Sequence, residues 1–182
     1  MLAKADATVA MKGVGRIPRS STSAEIERSP IAHIYQEPAN NERRNALIFD
    51  DVLNALEEGR CPIVLSERRQ HLDHLTDRFR RFVRNLIVLR GGIKVGERKV
   101  AQSLINDDDI DERLILATGR HIGEGFDDPR LDTLFLVMPI SWRGTVAQYV
   151  GRLHREHDGK GDVTVYDHAD LEVLVLAKLA TK

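Results

Sequence analysis

Five short runs of almost wholly apolar residues set the limits on how this chain can fold. PIVLS begins at Pro62, LIVL spans 86–89, RLILA 113–117, TLFLVM 133–138 and VTVYD 163–167. A strand with one wet face alternates apolar and polar residues, whereas a strand buried on both faces is apolar throughout. The segments between the runs carry helical periodicity. Strands of this kind alternating with helices predict an α/β fold, a parallel sheet with helices on both faces. Crossovers in such a sheet are right-handed, and ligands gather at the carboxyl ends of its strands. Ser66, Arg90 with Gly91-Gly92, Thr118-Gly119 and Pro139 fall at that edge.

The intervening segments read as amphipathic helices. The first starts at Glu42, with Leu47, Ile48, Val52, Leu53 and Leu56 at helical spacing and Gly59 as its stop. The second runs from Glu67 to Val83 on a stripe of Leu72, Leu75, Phe79 and Phe82. Further helices are expected over Glu97–Ile105, Thr145–Arg155 and His168–Ala180. Residues 1–41, rich in Ser, Thr and Arg with Pro18 and Pro30, read as a poorly packed leader or linker, and 42–182 as one folded domain.

The formal net charge is −1, so total charge draws the chain to no polyanion. Its distribution is uneven. Arg60 to Val100 hold eleven Lys/Arg against four Asp/Glu, and Asn106 to Asp132 hold nine Asp/Glu against three Arg. Solvated helix faces and a loop would give the same pattern. The single Cys61 supports neither an internal disulfide nor a Cys-rich zinc site. No signal peptide and no run long enough to span a membrane is visible, so a cytoplasmic location without membrane partners is expected.

Two constellations carry chemistry. In Gln148-Tyr-Val-Gly151-Arg152-Leu-His-Arg155, helical geometry puts positions 148, 152 and 155 within about 60° of one another. Clustered guanidiniums repel unless an anion joins them, and a phosphate chain suits their planar fork. Gly151 in mid-helix costs about 1 kcal/mol against Ala, which suggests that another backbone approaches there. An exposed basic helix with surface salt bridges is the plainer alternative. The second constellation is Thr118-Gly119-Arg-His-Ile-Gly123-Glu124-Gly125-Phe126-Asp127, a glycine-rich loop directly after a strand. Its amides can face phosphates and Asp127 can accept from a ribose hydroxyl, although an ordinary turn has the same composition.

In this order the two resemble motifs VI and V of superfamily 2 helicases. Gln-x-x-Gly-Arg-x-x-Arg matches at every defined position, and PIVLSERRQHLDHL and LRGG stand where motif IV and its successor would be. The resemblance covers about residues 42 to 170 and is nearer to the DEAD/DEAH-like and type III restriction-type branch than to strict DEAD-box proteins, whose loop is one residue shorter. It implies a RecA-like helicase C-terminal domain that works with a first, P-loop-bearing domain on ATP with Mg2+ and one nucleic-acid strand, DNA favoured over RNA. Arg152 and Arg155 would reach the ATP phosphates as arginine fingers, and Gln148 the γ-phosphate or the attacking water. Gly125 and Asp127 would sit at the nucleotide. Ser66, Gly92, Thr118 and Gly119 would touch the strand backbone, with Arg68, Arg69 and Arg90 as weaker candidates.

The chain departs from the family in one respect. It contains no GxxxxGKS or GxxxxGKT; Gly159-Lys160-Gly161 lacks both the loop and the hydroxyl, and the acidic string 107–112 precedes a strand instead of ending one. The expectation is half a motor: a fragment or split subunit, inactive alone. The alternative is a docking module for nucleic acid or protein derived from a helicase. His71/His74 and His154/His157 are the only hints of a metal-dependent nuclease, and they lack partner ligands at suitable spacing. Trp142 and Tyr149 could stack on bases, but core packing is the simpler use of both.

Overall fold

The computed structural model describes residues 7–10, 39–107, 109–119, 128–138, 143–155, 157 and 160–168. The elements are β1 (Ala7–Ala10), α1 (Glu42–Glu57), β2 (Pro62–Leu65), α2 (Arg69–Phe79), β3 (Leu86–Leu89), α3 (Val95–Ile105), β4 (Leu114–Ala117), β5 (Thr133–Leu136), α4 (Arg143–Leu153) and β6 (Val163–Asp167). The strands form one sheet in the order β1-β6-β5-β2-β4-β3, and every pairing is parallel. The five expected apolar runs are five of these strands. β1 was not expected. Four residues from the stretch assigned to a leader pair with β6, Ala7 opposite Val163 through Ala10 opposite Tyr166.

The period of two along a strand sends neighbouring residues to opposite faces, and both faces are packed. Ile63 and Leu65 join Ile115, Leu134 and Leu136 beneath Ala101 and Ile105 of α3 and Tyr149 and Leu153 of α4. Val64 joins Leu114, Leu116 and Phe135 beneath Ile48, Phe49 and Val52 of α1 and Leu72, Leu75 and Phe79 of α2. All four residues of β2, of β4 and of β5 are buried.

Helix ends follow local chemistry. Asn41 caps α1 by accepting from the Arg44 amide at 3.1 Å. Gly59, at φ +74°, closes it: Gly59 N donates to Leu56 O (2.9 Å) and Arg60 N to Ala55 O (3.0 Å), the paired bonds of a Schellman end. α2 is shorter than its apolar pattern. It stops at Phe79, whose carbonyl accepts from both Phe82 N (2.9 Å) and Val83 N (3.0 Å), so the chain tightens into a turn. Val83 is thereby buried and Phe82 is left 61% exposed, edge-on to Phe49, which removes it from the expected core stripe. α3 begins two residues before Glu97, because that carboxylate accepts the Lys94 amide at 3.0 Å and so belongs to the first turn. The expected helix from His168 to Ala180 lies outside the described residues beyond His168. Among the described residues no helix is long and apolar enough to cross a membrane.

A chain of buried polar groups lies behind the carboxyl end of β2. Asn45 Nδ2 donates to Ala39 O at 2.9 Å, which leaves Asn45 Oδ1 to accept from His71 Nε2 at 3.0 Å. His71 Nδ1 is then the acceptor for the Ser66 hydroxyl at 3.1 Å. Burial, and after it the charges of Arg44 and His74, push the His71 pKa from 6.5 down to about 3. The folded state therefore binds fewer protons here than the unfolded chain between those two values. The contribution of His71 is intact above about pH 6.5 and is lost as pH falls toward 3, with a slope approaching 1.4 kcal/mol per pH unit. Urea unfolding at a series of pH values below 6.5 should show that slope, and His71→Gln should remove it. An equal slope in the variant would mean that His71 does not carry the effect.

Candidate functional site

Backbone bonds that continue past the strand ends gather the carboxyl-edge residues. Ser66 N donates to Ala117 O at 3.1 Å and Thr118 N to Leu89 O at 3.0 Å, which sets the loops after β2, β4 and β3 side by side. Gly92, at φ +76°, occupies a conformation that suits glycine, and the Arg69 Nη1 lies 3.5 Å from the place a Cβ would take. Arg69 is thus laid over the turn after β3. Arg90 pairs with Asp73 of α2 at 3.1 Å, so part of its charge is already answered within the chain. Ser66, Gly92, Thr118 and Gly119 therefore share one edge, as the sequence implied.

Ser66 has a different task from the one expected of it. It is fully buried, its proton goes to His71, and its oxygen accepts the Arg68 amide at 3.3 Å. Its side chain leaves no donor for a strand backbone. What it does is fix the start of the loop that carries Glu67, Arg68 and Arg69.

The centre of the site is Gly119. Its carbonyl accepts from the Tyr149 hydroxyl of α4 at 2.6 Å in a buried bond. A Cβ on Gly119 would lie 2.8 Å from that hydroxyl and would collide with the Glu67 carboxylate. Loops after β2 and β4 and the helix after β5 thus meet within one hydrogen bond's reach. Burial, reinforced by Glu67 and opposed by Arg152, pushes the Tyr149 pKa up to about 12, and burial raises that of Glu67. Tyr149 packs in the core, as expected, but its hydroxyl joins α4 to the turn after β4. Glu67 was missed: a single carboxylate after a strand has no distinguishing pattern.

α4 carries Gln148 and Arg152, and the turn after it carries Arg155. Gln148 is exposed, Arg152 is intermediate, and a Cβ at Gly151 would meet nothing within 4 Å. Among the described residues no other backbone approaches the Cβ position of Gly151, where the sequence suggested that another backbone would come close. Arg155 departs from the helical-face argument. Regular helix ends at Leu153, and the Arg155 amide reaches Arg152 O at 3.3 Å in a following turn. Its backbone carbonyl accepts from Lys160 Nζ at 3.1 Å, and the same ammonium donates to Pro129 O at 2.9 Å. Gly125, Asp127, Pro139 and Trp142 lie outside the described residues.

The glycine-rich segment re-enters the described structure at Asp128, which is 3% exposed. Its carboxylate takes Arg130 Nε at 2.8 Å and lies 3.6 Å from the buried Arg113. Arg113 also donates to Ile105 O (3.2 Å) and Asp107 O (2.9 Å), and Arg130 to Asp107 O (3.0 Å). The root of the loop is thereby fastened to the end of α3.

Among the described residues no group of three or more His, Cys, Asp or Glu could hold a metal ion. His71 has both ring nitrogens in hydrogen bonds, and His154 and His157 are exposed. Guanidiniums and an amide are donors of the kind a phosphate chain accepts from.

No protein-family model matches the chain. It is 24% identical over 138 residues to transcript termination protein A18 of fowlpox virus (strain NVSL), a match over 74% of this chain and 29% of that protein. The chain thus spans under a third of that relative's length. Three solved structures are similar in fold. The C-terminal part of the Fun30 ATPase domain aligns with a TM-score of 0.61 and 15% identity over 75% of this chain and 44% of that one. T4 UvsW aligns with a TM-score of 0.62 and 18% identity over 81% and 30%. Mss116p DEAD-box helicase domain 2, solved bound to an RNA duplex, aligns with a TM-score of 0.54 and 16% identity over 79% and 56%. The chain has the RecA-like α/β fold that these structures share.

Proposed function

We propose that this chain supplies the second motor domain of an ATP-dependent superfamily 2 helicase or translocase, of a branch resembling the DEAD/DEAH-like and type III restriction-type helicases. Arg152 and Arg155 stabilise charge on the transferred phosphoryl group, and Gln148 orients the γ-phosphate or water. Gly125 and Asp127 attend the nucleotide. Gly92, Thr118 and Gly119 bear on the sugar–phosphate backbone, which positions a strand without reading its bases. Ser66 serves the same edge indirectly, by holding its loop. ATP with Mg2+, carried on a P-loop outside these 182 residues, would supply the phosphoryl group and its charge. That P-loop belongs either to more of the same polypeptide or to a separate subunit, in the cytoplasm.

One observation carries this reading. The Tyr149 hydroxyl on Gly119 O joins the arginine-bearing helix to the strand-facing loop at 2.6 Å, with Glu67 beside it. A motor needs such a joint, because occupancy of the nucleotide must alter the grip on the strand. The basic residues clustered around the same edge, Arg68, Arg69, Lys94, Arg98 and Lys99, support a polyanion there.

The purified 182-residue chain should hydrolyse almost no ATP, with or without a strand. Rapid strand-stimulated hydrolysis by this chain alone would refute the assignment. Its binding to single-stranded DNA should be weak and should fall steeply between about 50 and 200 mM salt; salt-independent affinity would argue against backbone contacts. When a P-loop domain restores hydrolysis, Arg155→Ala should lower kcat by about 10³-fold or more. Equal activity in the variant would remove Arg155 from the phosphate.

A further inference from the structure

Gly159-Lys160-Gly161 makes no phosphate loop, yet Lys160 is not a solvated surface lysine. Its ammonium bridges two backbone carbonyls far apart in sequence, Pro129 O at 2.9 Å and Arg155 O at 3.1 Å. Burial lowers its pKa, and the charges of Asp132 and Asp128 oppose that shift.

The two carbonyls belong to functionally different segments. Pro129 follows Asp128, the root of the loop that contains Gly125 and Asp127, and that root is immobilised by Arg113 and Arg130. Arg155 lies two residues past the end of α4, where its amide makes a bond of 3.3 Å to Arg152 O. A helix fixes the direction of the residues within it, and little beyond its last turn. A backbone carbonyl held by the half-buried Lys160 ammonium constrains Arg155 in addition. The tether's other end is the rigid base of the loop.

We propose that Lys160 is a positioning residue that locks the Arg155 backbone to the root of the glycine-rich loop, so that arginine and loop meet a phosphate chain as one unit. This rests on reading Arg155 as the phosphate-facing arginine. Lys160 touches no substrate itself. The interaction needs a long cationic donor, because one group must serve two carbonyls at once.

Hydrogen exchange on the 182-residue chain reads the lock with no partner present. Lys160→Met should accelerate exchange about tenfold or more at Leu131 and Arg155 together while the amides of β4 and β5 keep their protection. Lys160→Arg should restore most of it. Acceleration at one segment alone, or at neither, would overturn the lock; should Lys160→Met fail to fold, Lys160→Gln is read by the same criterion. In a motor completed by a P-loop domain, Lys160→Met should lower kcat about 100-fold. Its KM for ATP should stay within about twofold, and the variant should add nothing to Arg155→Ala. Full kcat in Lys160→Met beside an inactive Arg155→Ala overturns this inference alone. Full kcat in Arg155→Ala overturns the reading beneath it.

Discussion

Both faces of the central strands are consumed by packing, and this constraint governs where function can lie. Pro62, Ile63, Val64 and Leu65 of β2 are all buried, as are the residues of β4 and β5 on either side of it. Each fully buried Ile, Leu or Val side chain contributes about 1.5–3 kcal/mol, so polar chemistry on either face would cost more than a marginal fold can lose. Only the ends of strands and the outer parts of helices remain. The carboxyl edge takes Ser66, Gly92, Thr118 and Gly119. The segment from Thr118 to Asp132 must then travel from the carboxyl end of β4 to the amino end of β5, linking one edge to the other.

Several arginines serve the fold at both edges of the sheet. At the amino edge they are structural. Arg60 joins β2 to Thr133 of β5 (3.0 Å) and Thr164 of β6 (2.6 Å), and Arg113 and Arg130 fasten Asp128 to the end of α3. Just past the carboxyl ends of β5 and β6 the fully buried Arg44 is structural too, donating to Val137 O and His168 O (2.9 Å). Guanidiniums with carbonyl and carboxylate partners on several sides are committed to the fold. Arg152 lies on α4 and Arg155 in the turn after it.

The fold was legible because its signal is additive. Four consecutive apolar residues bounded by polar ones mark a strand without reference to any distant part of the chain. β1 was not, since Ala7-Thr-Val-Ala is too short and too small to stand out, and its pairing with β6 is a tertiary fact. The end of α2 was misjudged because Phe82 kept the helical period while Phe79 O drew Val83 inward. In the site, residue types were legible and their tasks less so. Thr-Gly after a strand and Gln-x-x-Gly-Arg-x-x-Arg mark segments that the fold brings into contact. That Ser66 faces His71, that Tyr149 holds Gly119 and that Lys160 spans Pro129 and Arg155 depends on which loops the topology brings together. No spacing rule within one segment contains that information.

The central claim is that these residues complete an ATP site begun elsewhere. The most direct measurement is quantitative mass spectrometry of the complex that the native chain forms in the presence of single-stranded DNA, ADP and aluminium fluoride. The account predicts a P-loop sequence in one-to-one amount, within a longer form of this polypeptide or in a separate protein. That association should be lost when Arg152 and Arg155 are both replaced by alanine. A native product of 182 residues with no P-loop protein in stoichiometric amount, or a P-loop protein retained equally by the double variant, would contradict it.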